Sequence, residues 1–290
     1  MVLLKANDHV ALVGCSNGLS GELSIKIEEL VEVLEAWGLQ VSLSPYLYAR
    51  QDVFSATAKE RAKVLMDFYK DNSIKTIFDI SGGDVANQVL PYLDFECIQK
   101  ANKPYFGYSD LTTIINGLYT NAKVNSYLYQ IRFLVGKYAQ QQQVNFYQSI
   151  FEGKETLFKF DYHFLKGEEL EGTVVGGNIR CLLKLAGTPY LPNFKDKILF
   201  LEGMSGKVAQ MTTFLNQYQQ MGILDEVKGI LLGSFSEMEE KELTPTVEEI
   251  LLELVKDRAI PIVKTKEIGH GQDAKCLRIG EHIHLRKEAN

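Results

Sequence analysis

The apolar positions along the chain fall into short runs separated by stretches of helical spacing. His9-Val-Ala-Leu-Val13 ends at Gly14-Cys-Ser-Asn-Gly18, and behind it Leu23, Ile27, Leu30, Val31 and Leu34 recur every three or four residues. This predicts strand, loop, helix. Gly38 ends that helix, Leu39 to Leu43 predict a second strand, and Ser55 to Tyr69 an amphipathic helix with Ala58, Ala62, Leu65, Met66 and Tyr69 on one side. Lys75 to Ile80 and Lys103 to Tyr108 read as two further strands, and Asp110 to Tyr119 as the helix that follows. Strands alternating with helices of this length imply the α/β class, here a flavodoxin- or Rossmann-like parallel sheet with helices on both faces.

From about Asn125 to Gly167 the pattern is less regular, with one helix expected around Gln140 to Gln143. A domain boundary is expected at about 150 to 168, giving an N-terminal α/β domain over 1–150 and a second domain over 168–290. In the second part Gly172 to Val175 reads as a strand and Gly176-Gly-Asn178 as the opening of a helix to Leu185. Lys197 to Leu201, Gly229 to Leu232 and Pro261 to Lys264 read as strands, with helices through Leu215 and over Thr246 to Val255. Cys276 to Ile279 and His282 to Leu285, joined by Gly280-Glu281, have the pattern of a hairpin.

Parallel sheets bind ligands at the carboxyl ends of their strands. Gly14 to Gly18, Ser81 to Asp84 and Ser109-Asp110 all occupy that edge, so three loops are expected around one crevice. Ser109 stands where a strand gives way to a helix. There a hydroxyl can act as a nucleophile beside free helix N–H groups, or it can simply cap the helix, and the local residues leave both open. Gly107 precedes it as in the G-x-S-x-G elbow, but Leu111 takes the place of the second glycine.

A serine nucleophile needs a base and a group to orient the base. Of the five histidines, His270 lies in the glycine-flanked loop after the strand Pro261 to Lys264, where it is either a base or a turn residue. Glu202 emerges at the end of the run Ile198-Leu-Phe-Leu201 and is either the orienting carboxylate or a cap. His282 and His284 would share a strand face, but no third ligand of suitable spacing accompanies them. Neither G-x-G-x-x-G nor G-x-x-x-x-G-K-[ST] occurs, so phosphate-loop chemistry is not expected.

Composition narrows the partners. The 290 residues carry 31 Lys and Arg against 37 Asp and Glu, a net charge of −6, and no basic run is interleaved with aromatics. Nucleic acid is not an expected partner. The longest apolar runs fall well short of the roughly 20 residues of a spanning helix, and the N-terminus has no signal-peptide core, so no membrane partner and a cytoplasmic location are expected. Four cysteines without C-x-x-C spacing fit reduced core thiols.

Taken in order, Ser81-Gly-Gly-Asp84, Leu90 to Asp94, Lys103-Pro104, Gly107-Tyr-Ser-Asp110, Thr112, Gly176-Gly-Asn178, Gly187-Thr-Pro-Tyr190, Ile198 to Glu202 and Gly269-His-Gly271 resemble the LD-carboxypeptidase family of serine peptidases, which includes the microcin-immunity peptidases. The resemblance runs through nearly the whole chain. It implies an N-terminal α/β domain bearing the nucleophile and a C-terminal β-rich α/β domain bearing glutamate and histidine, with the site between them, commonly in a homodimer. It assigns the nucleophile to Ser109, the triad acid to Glu202 and the base to His270. It also assigns the oxyanion hole to the N–H groups of Gly83 and Asp110, and substrate contacts to Asp84 and Asn178. No metal or cofactor is implied.

The expected substrate is a muropeptide that loses a C-terminal D-alanine, with a peptidyl- or aminoacyl-nucleotide amide as the alternative. Ser81-Gly-Gly-Asp84-Val85 replaces the Arg-Gly-Gly-Tyr-Gly of many members, and Asn125-Ser-Tyr127 a frequent Gly-Pro turn, so the substrate rim departs from the family pattern. A non-catalytic peptide-binding protein on the same scaffold is the reading from another class.

Overall fold

The computed structural model describes residues 2–287. Two six-stranded sheets organise the chain. The first contains β1 (His9–Val13), β2 (Gln40–Leu43), β3 (Ile74–Asp79), β4 (Tyr105–Gly107) and β5 (Ser126–Leu128), all parallel, in the order β5-β4-β3-β1-β2. This is the flavodoxin-like order expected of a doubly wound sheet. Val10, Ala11 and Leu12 of β1 have no exposed surface, as a strand covered on both faces requires. The flanking helices follow the predicted periodicity: Ile27, Leu30 and Leu34 are buried in Ser24–Ala36, and Ala62, Leu65, Met66 and Tyr69 in Ala58–Lys70. Thr57 and Glu60 form a capping box that starts the latter helix.

The second sheet contains β6 (His163–Lys166), β7 (Glu169–Asn178), β8 (Lys197–Gly203), β9 (Gly229–Phe235) and β10 (Ile262–Lys264). β7 to β10 run parallel, and β6 pairs antiparallel with β10 at one edge.

The C-terminal segment departs from expectation. β11 (Leu277–Ile279) and β12 (His282–Arg286) do not pair with each other. β11 lies antiparallel on β5 and completes the first sheet, whereas β12 lies antiparallel on β7 and completes the second. Gly280, at φ +89°, makes the predicted turn, but the partners of the two strands come from distant sequence.

A second departure concerns Gly176-Gly-Asn178, which reads as a helix start. These residues extend β7 to Asn178, and the helix Ile179–Leu183 begins only there, with Asn178 Oδ1 accepting from Cys181 N at 3.2 Å. A Cβ on Gly177 would stand 2.4 Å from Thr112 Oγ1. The strand continues because the absence of side chains lets it lie against the helix Thr112–Ala122, which follows Ser109. β5 and β6 arise within the stretch whose pattern is least regular.

Candidate active site

The first sheet presents the turns after β1, β3 and β4 at one edge. Asp110 joins them: its carboxylate has no exposed surface, and Oδ2 accepts from Ser16 Oγ at 2.6 Å and from Ala86 N at 2.8 Å. Oδ1 accepts from Lys184 Nζ at 2.5 Å, which brings in the helix at the end of β7. Ser81 is likewise buried, donating to Asp79 Oδ1 at 2.6 Å and accepting from Ser16 N at 2.9 Å. The expected crevice of three loops is thereby assembled through buried polar contacts, each satisfied within the protein.

Ser109 opens a single 3-10 turn, Ser109–Leu111, ahead of the helix Thr112–Ala122. Its φ of +55° is one that residues with a side chain rarely adopt. The serine hydroxyl makes no capping hydrogen bond to the helix among the described residues. The capping role is therefore not filled, and a φ of this kind persists only where surrounding contacts hold the turn in place.

Glu202 lies at the end of β8 with no exposed surface. Its two oxygens are divided between two donors: Oε1 accepts from Asn178 Nδ2 at 3.1 Å, and Oε2 stands 2.5 Å from His270 Nδ1. A carboxylate only accepts, so Nδ1 carries the hydrogen, and in the neutral ring the lone pair is then on Nε2. Nε2 is buried and has no hydrogen-bond partner among the described residues. Tyr108, the residue before Ser109, packs its ring 4.4 Å from the imidazole and donates its hydroxyl to Gly269 O at 2.7 Å. Burial, with the Glu202 charge adding to it, pushes the Tyr108 phenol well above its ordinary pKa, so it remains a donor.

Gly83 adopts φ +122° against Asn17, where a Cβ would stand 2.2 Å from the amide carbon. Asn17 N in turn donates to Gly82 O at 3.1 Å, and Asn17 Oδ1 accepts from Asp84 N at 2.9 Å. Asp84 is exposed and pairs with Arg180, while Lys184 Nζ donates to its carbonyl at 2.9 Å. The Arg180 hydrogen bond holds the Asp84 carboxyl below its ordinary pKa. Asn178 is buried and turned to Glu202, with its N–H on Thr112 Oγ1 at 2.9 Å. Asn116 fastens the same strand to the serine's helix, exchanging hydrogen bonds with Gly176 N and O, both at 2.9 Å.

The structure therefore brings the turn of Ser109, the His270 loop and Glu202 together. His282 and His284 lie elsewhere, on β12, facing Glu171 and Glu169. The four cysteines are free thiols. Arg180, Lys184 and Asn116 take part in building the site but were not singled out by sequence, and Tyr108 entered only as a letter of the Gly107-Tyr-Ser-Asp110 motif. Arg180 lies on the helix Ile179–Leu183 and Lys184 caps its end, and their spacing of four is the one signal in the sequence that they share a face. The arrangement has the parts for acyl transfer: a presented hydroxyl, an imidazole with an open nitrogen, and a buried carboxylate that fixes the ring.

Comparison with known proteins agrees in both halves of the chain. The profile of the LD-carboxypeptidase N-terminal domain matches residues 10–129, and that of the LD-carboxypeptidase C-terminal domain matches residues 171–285. The murein tetrapeptide carboxypeptidase of Pseudomonas aeruginosa is 23% identical over 283 residues, covering 94% of this chain and 91% of its own. The microcin C7 self-immunity protein of Escherichia coli is 24% identical over 283 residues, covering 86% and 82%. Among solved structures, a microcin C7 self-immunity protein in complex with aspartyl sulfamoyl adenosine superposes with a TM-score of 0.86 at 20% identity, covering 98% of this chain and 95% of that one. The muramoyltetrapeptide carboxypeptidase of Oxalobacter formigenes gives 0.80 at 24% identity, covering 97% and 96%. With both domain profiles matched in order on a two-sheet scaffold that those structures share, the chain belongs to the LD-carboxypeptidase family of peptidases.

Proposed function

We propose that the protein is a serine LD-carboxypeptidase that hydrolyses an L,D-amide bond and releases a C-terminal D-alanine from muropeptides. The observation that carries this reading is the His270 imidazole, held at Nδ1 by buried Glu202, with a buried and unpartnered Nε2, beside the turn of Ser109. Ser109 Oγ attacks the carbonyl carbon as its proton passes to His270 Nε2. Nδ1–H stays on Glu202, whose charge stabilises the imidazolium. The N–H groups of Gly83 and Asp110 receive the oxyanion. The C–N bond then breaks as His270 returns the proton to the leaving amine, and water activated by the same base hydrolyses the acyl-serine ester. Nucleophile, base and oxyanion donors all come from the chain, so the mechanism needs no metal or cofactor. Asp84 stands on the substrate rim, and Asn178 acts on the reaction through Glu202. The reading extends to a cytoplasmic homodimer acting in peptidoglycan recycling, as the family resemblance implies.

The test is incubation with an L,D-linked murein tetrapeptide, with D-alanine followed by mass spectrometry. Release is expected from the wild-type protein, undiminished by a chelator, and lower by at least about 10³-fold in Ser109→Ala. No release from the wild type, or equal release from the variant, overturns the proposal.

A second reading is favoured by the relative named for microcin C7 self-immunity and by solved structures of proteins so named that hold aminoacyl sulfamoyl nucleosides. The same three residues would then cleave an aminoacyl- or peptidyl-nucleotide amide. Offering such a nucleotide beside the tetrapeptide and comparing kcat/KM separates the two.

A further inference from the structure

The cationic side chains around Ser109 differ in what they are committed to. Arg61 is almost fully buried and spends its guanidinium on the carbonyls of Cys15 and Ser16 and on Gln88 Oε1. Lys184 is held by Asp110, and Arg180 by Asp84. Arg132 is different. Among the described residues it forms no ion pair and no side-chain hydrogen bond; its Nε, like that of Arg61, is buried without a partner, but here no other nitrogen of the guanidinium is engaged either.

Its position is fixed from two sides. Tyr129 N donates to Gly107 O at 2.8 Å, which carries the pairing from the last residue of β4 to the residue just beyond β5. The turn Ile131–Val135 therefore rises beside the turn of Ser109. Gln130 Oε1 accepts from Arg132 N at 3.3 Å, and Phe133 packs edge-on to Tyr108 at 5.8 Å. On the other side Gln272, two residues after His270, accepts through Oε1 from Lys137 N at 3.1 Å. Arg132 thus sits on a turn that packs against Tyr108, the residue before the serine, and the chain leaving that turn is tied through Lys137 to the loop of His270. Burial lowers its pKa, and the acidic groups acting against that are Asp79 and Tyr108. Asp79 is not available as a partner, because its oxygens already accept from Cys15 N, Ser81 N, Ser81 Oγ and Tyr105 OH.

We infer that Arg132 is the receptor for the substrate's terminal carboxylate, and so the residue that makes this hydrolase a carboxypeptidase rather than an endopeptidase. The inference rests on the function proposed above. A guanidinium offers a planar fork that matches the two oxygens of a carboxylate. Here the water around it has already been partly removed by folding, so an incoming carboxylate supplies hydrogen bonds that the protein leaves unmade.

The experiment compares two tetrapeptides with the same L,D-bond, one ending in a free carboxylate and one in a primary amide. The wild-type kcat/KM is expected to favour the acid by at least about tenfold, the range of hydrogen bonds to charged groups. In Arg132→Gln the acid-to-amide ratio falls toward one, mainly through KM for the acid, while Arg132→Lys keeps part of it. Labelling of Ser109 by a fluorophosphonate checks that the site is assembled in each variant, and if Arg132→Gln fails that check, Arg132→Lys carries the comparison. A ratio unchanged in the variants overturns the inference and leaves the hydrolase reading standing, as does a wild type that cleaves acid and amide alike. A wild type inert toward both peptides overturns the reading and the inference with it.

Discussion

Glu202 illustrates how much one buried carboxylate organises. Removing a charge from water is costly unless its oxygens are occupied, and here one takes the Asn178 amide and the other the His270 ring. Replacing Glu202 with Gln keeps the shape but offers His270 Nδ1 an N–H instead of an acceptor. The imidazole then carries its hydrogen on Nε2, where it cannot take the serine proton. We expect kcat to fall by about 10³- to 10⁴-fold with the far-ultraviolet circular dichroism unchanged. A loss of less than about tenfold would show that His270 is not held by this carboxylate. The placement of Ser109, Glu202 and His270 was legible because each stands where an apolar run or a glycine-flanked loop ends, whereas the roles proposed for them came from the family resemblance and not from the local pattern. Asn178 was legible as a polar residue at a helix start, but its contact with Glu202 was not, since nothing in the spacing of residues 178 and 202 says that β7 and β8 are neighbours.

At the level of elements, the close approach of β7 to the helix behind Ser109 rests on the glycine pair. Gly177→Ala would place a methyl group 2.4 Å from Thr112 Oγ1 and 2.8 Å from Thr112 Cγ2, at a φ of +147°. Destabilisation of about 1–3 kcal/mol is expected, read as a lower denaturation midpoint, together with a fall in kcat because the helix that sets the serine must move. An unchanged kcat in a destabilised variant would separate that contact from the placement of Ser109. The pair was read as a helix start, because the reason for glycine at 177 lies in a residue 65 positions earlier, Thr112. Periodicity revealed the longer elements, including β1, β3, β8 and the helices around them. It failed for β5, three residues long, and for β6, because edge and short strands carry too few alternations to stand out.

For the whole molecule, the two sheets are tied by contacts that differ in their exposure to pH. Tyr108 to Gly269, Asn116 to Gly176 and Asn178 to Thr112 are neutral, whereas Asp84 to Arg180 is an ion pair at the surface. The folded pKa of Asp84 lies below its ordinary value, so its contribution is present above the unfolded pKa of about 4 and is lost as pH falls through the lower folded value. The melting temperature of the wild type should exceed that of Asp84→Asn near neutrality, and the gap should close on acidification below about pH 4. A gap of constant size from neutral to strongly acid solution would show that Asp84 acts through its shape alone.

The crossing of β11 into the first sheet has a consequence in time as well as in space. A chain made from its N-terminus has Ser109 long before it has Glu202 or His270, and β5 keeps a bare edge until Leu277 to Ile279 arrive to cover it. The strand that finishes the serine's own sheet is thus supplied after His270, and β12 seals the other sheet a few residues later. On the mechanism proposed above, a half-made chain holds Ser109 without the residues that would activate it, so hydrolysis would begin only when synthesis is almost over.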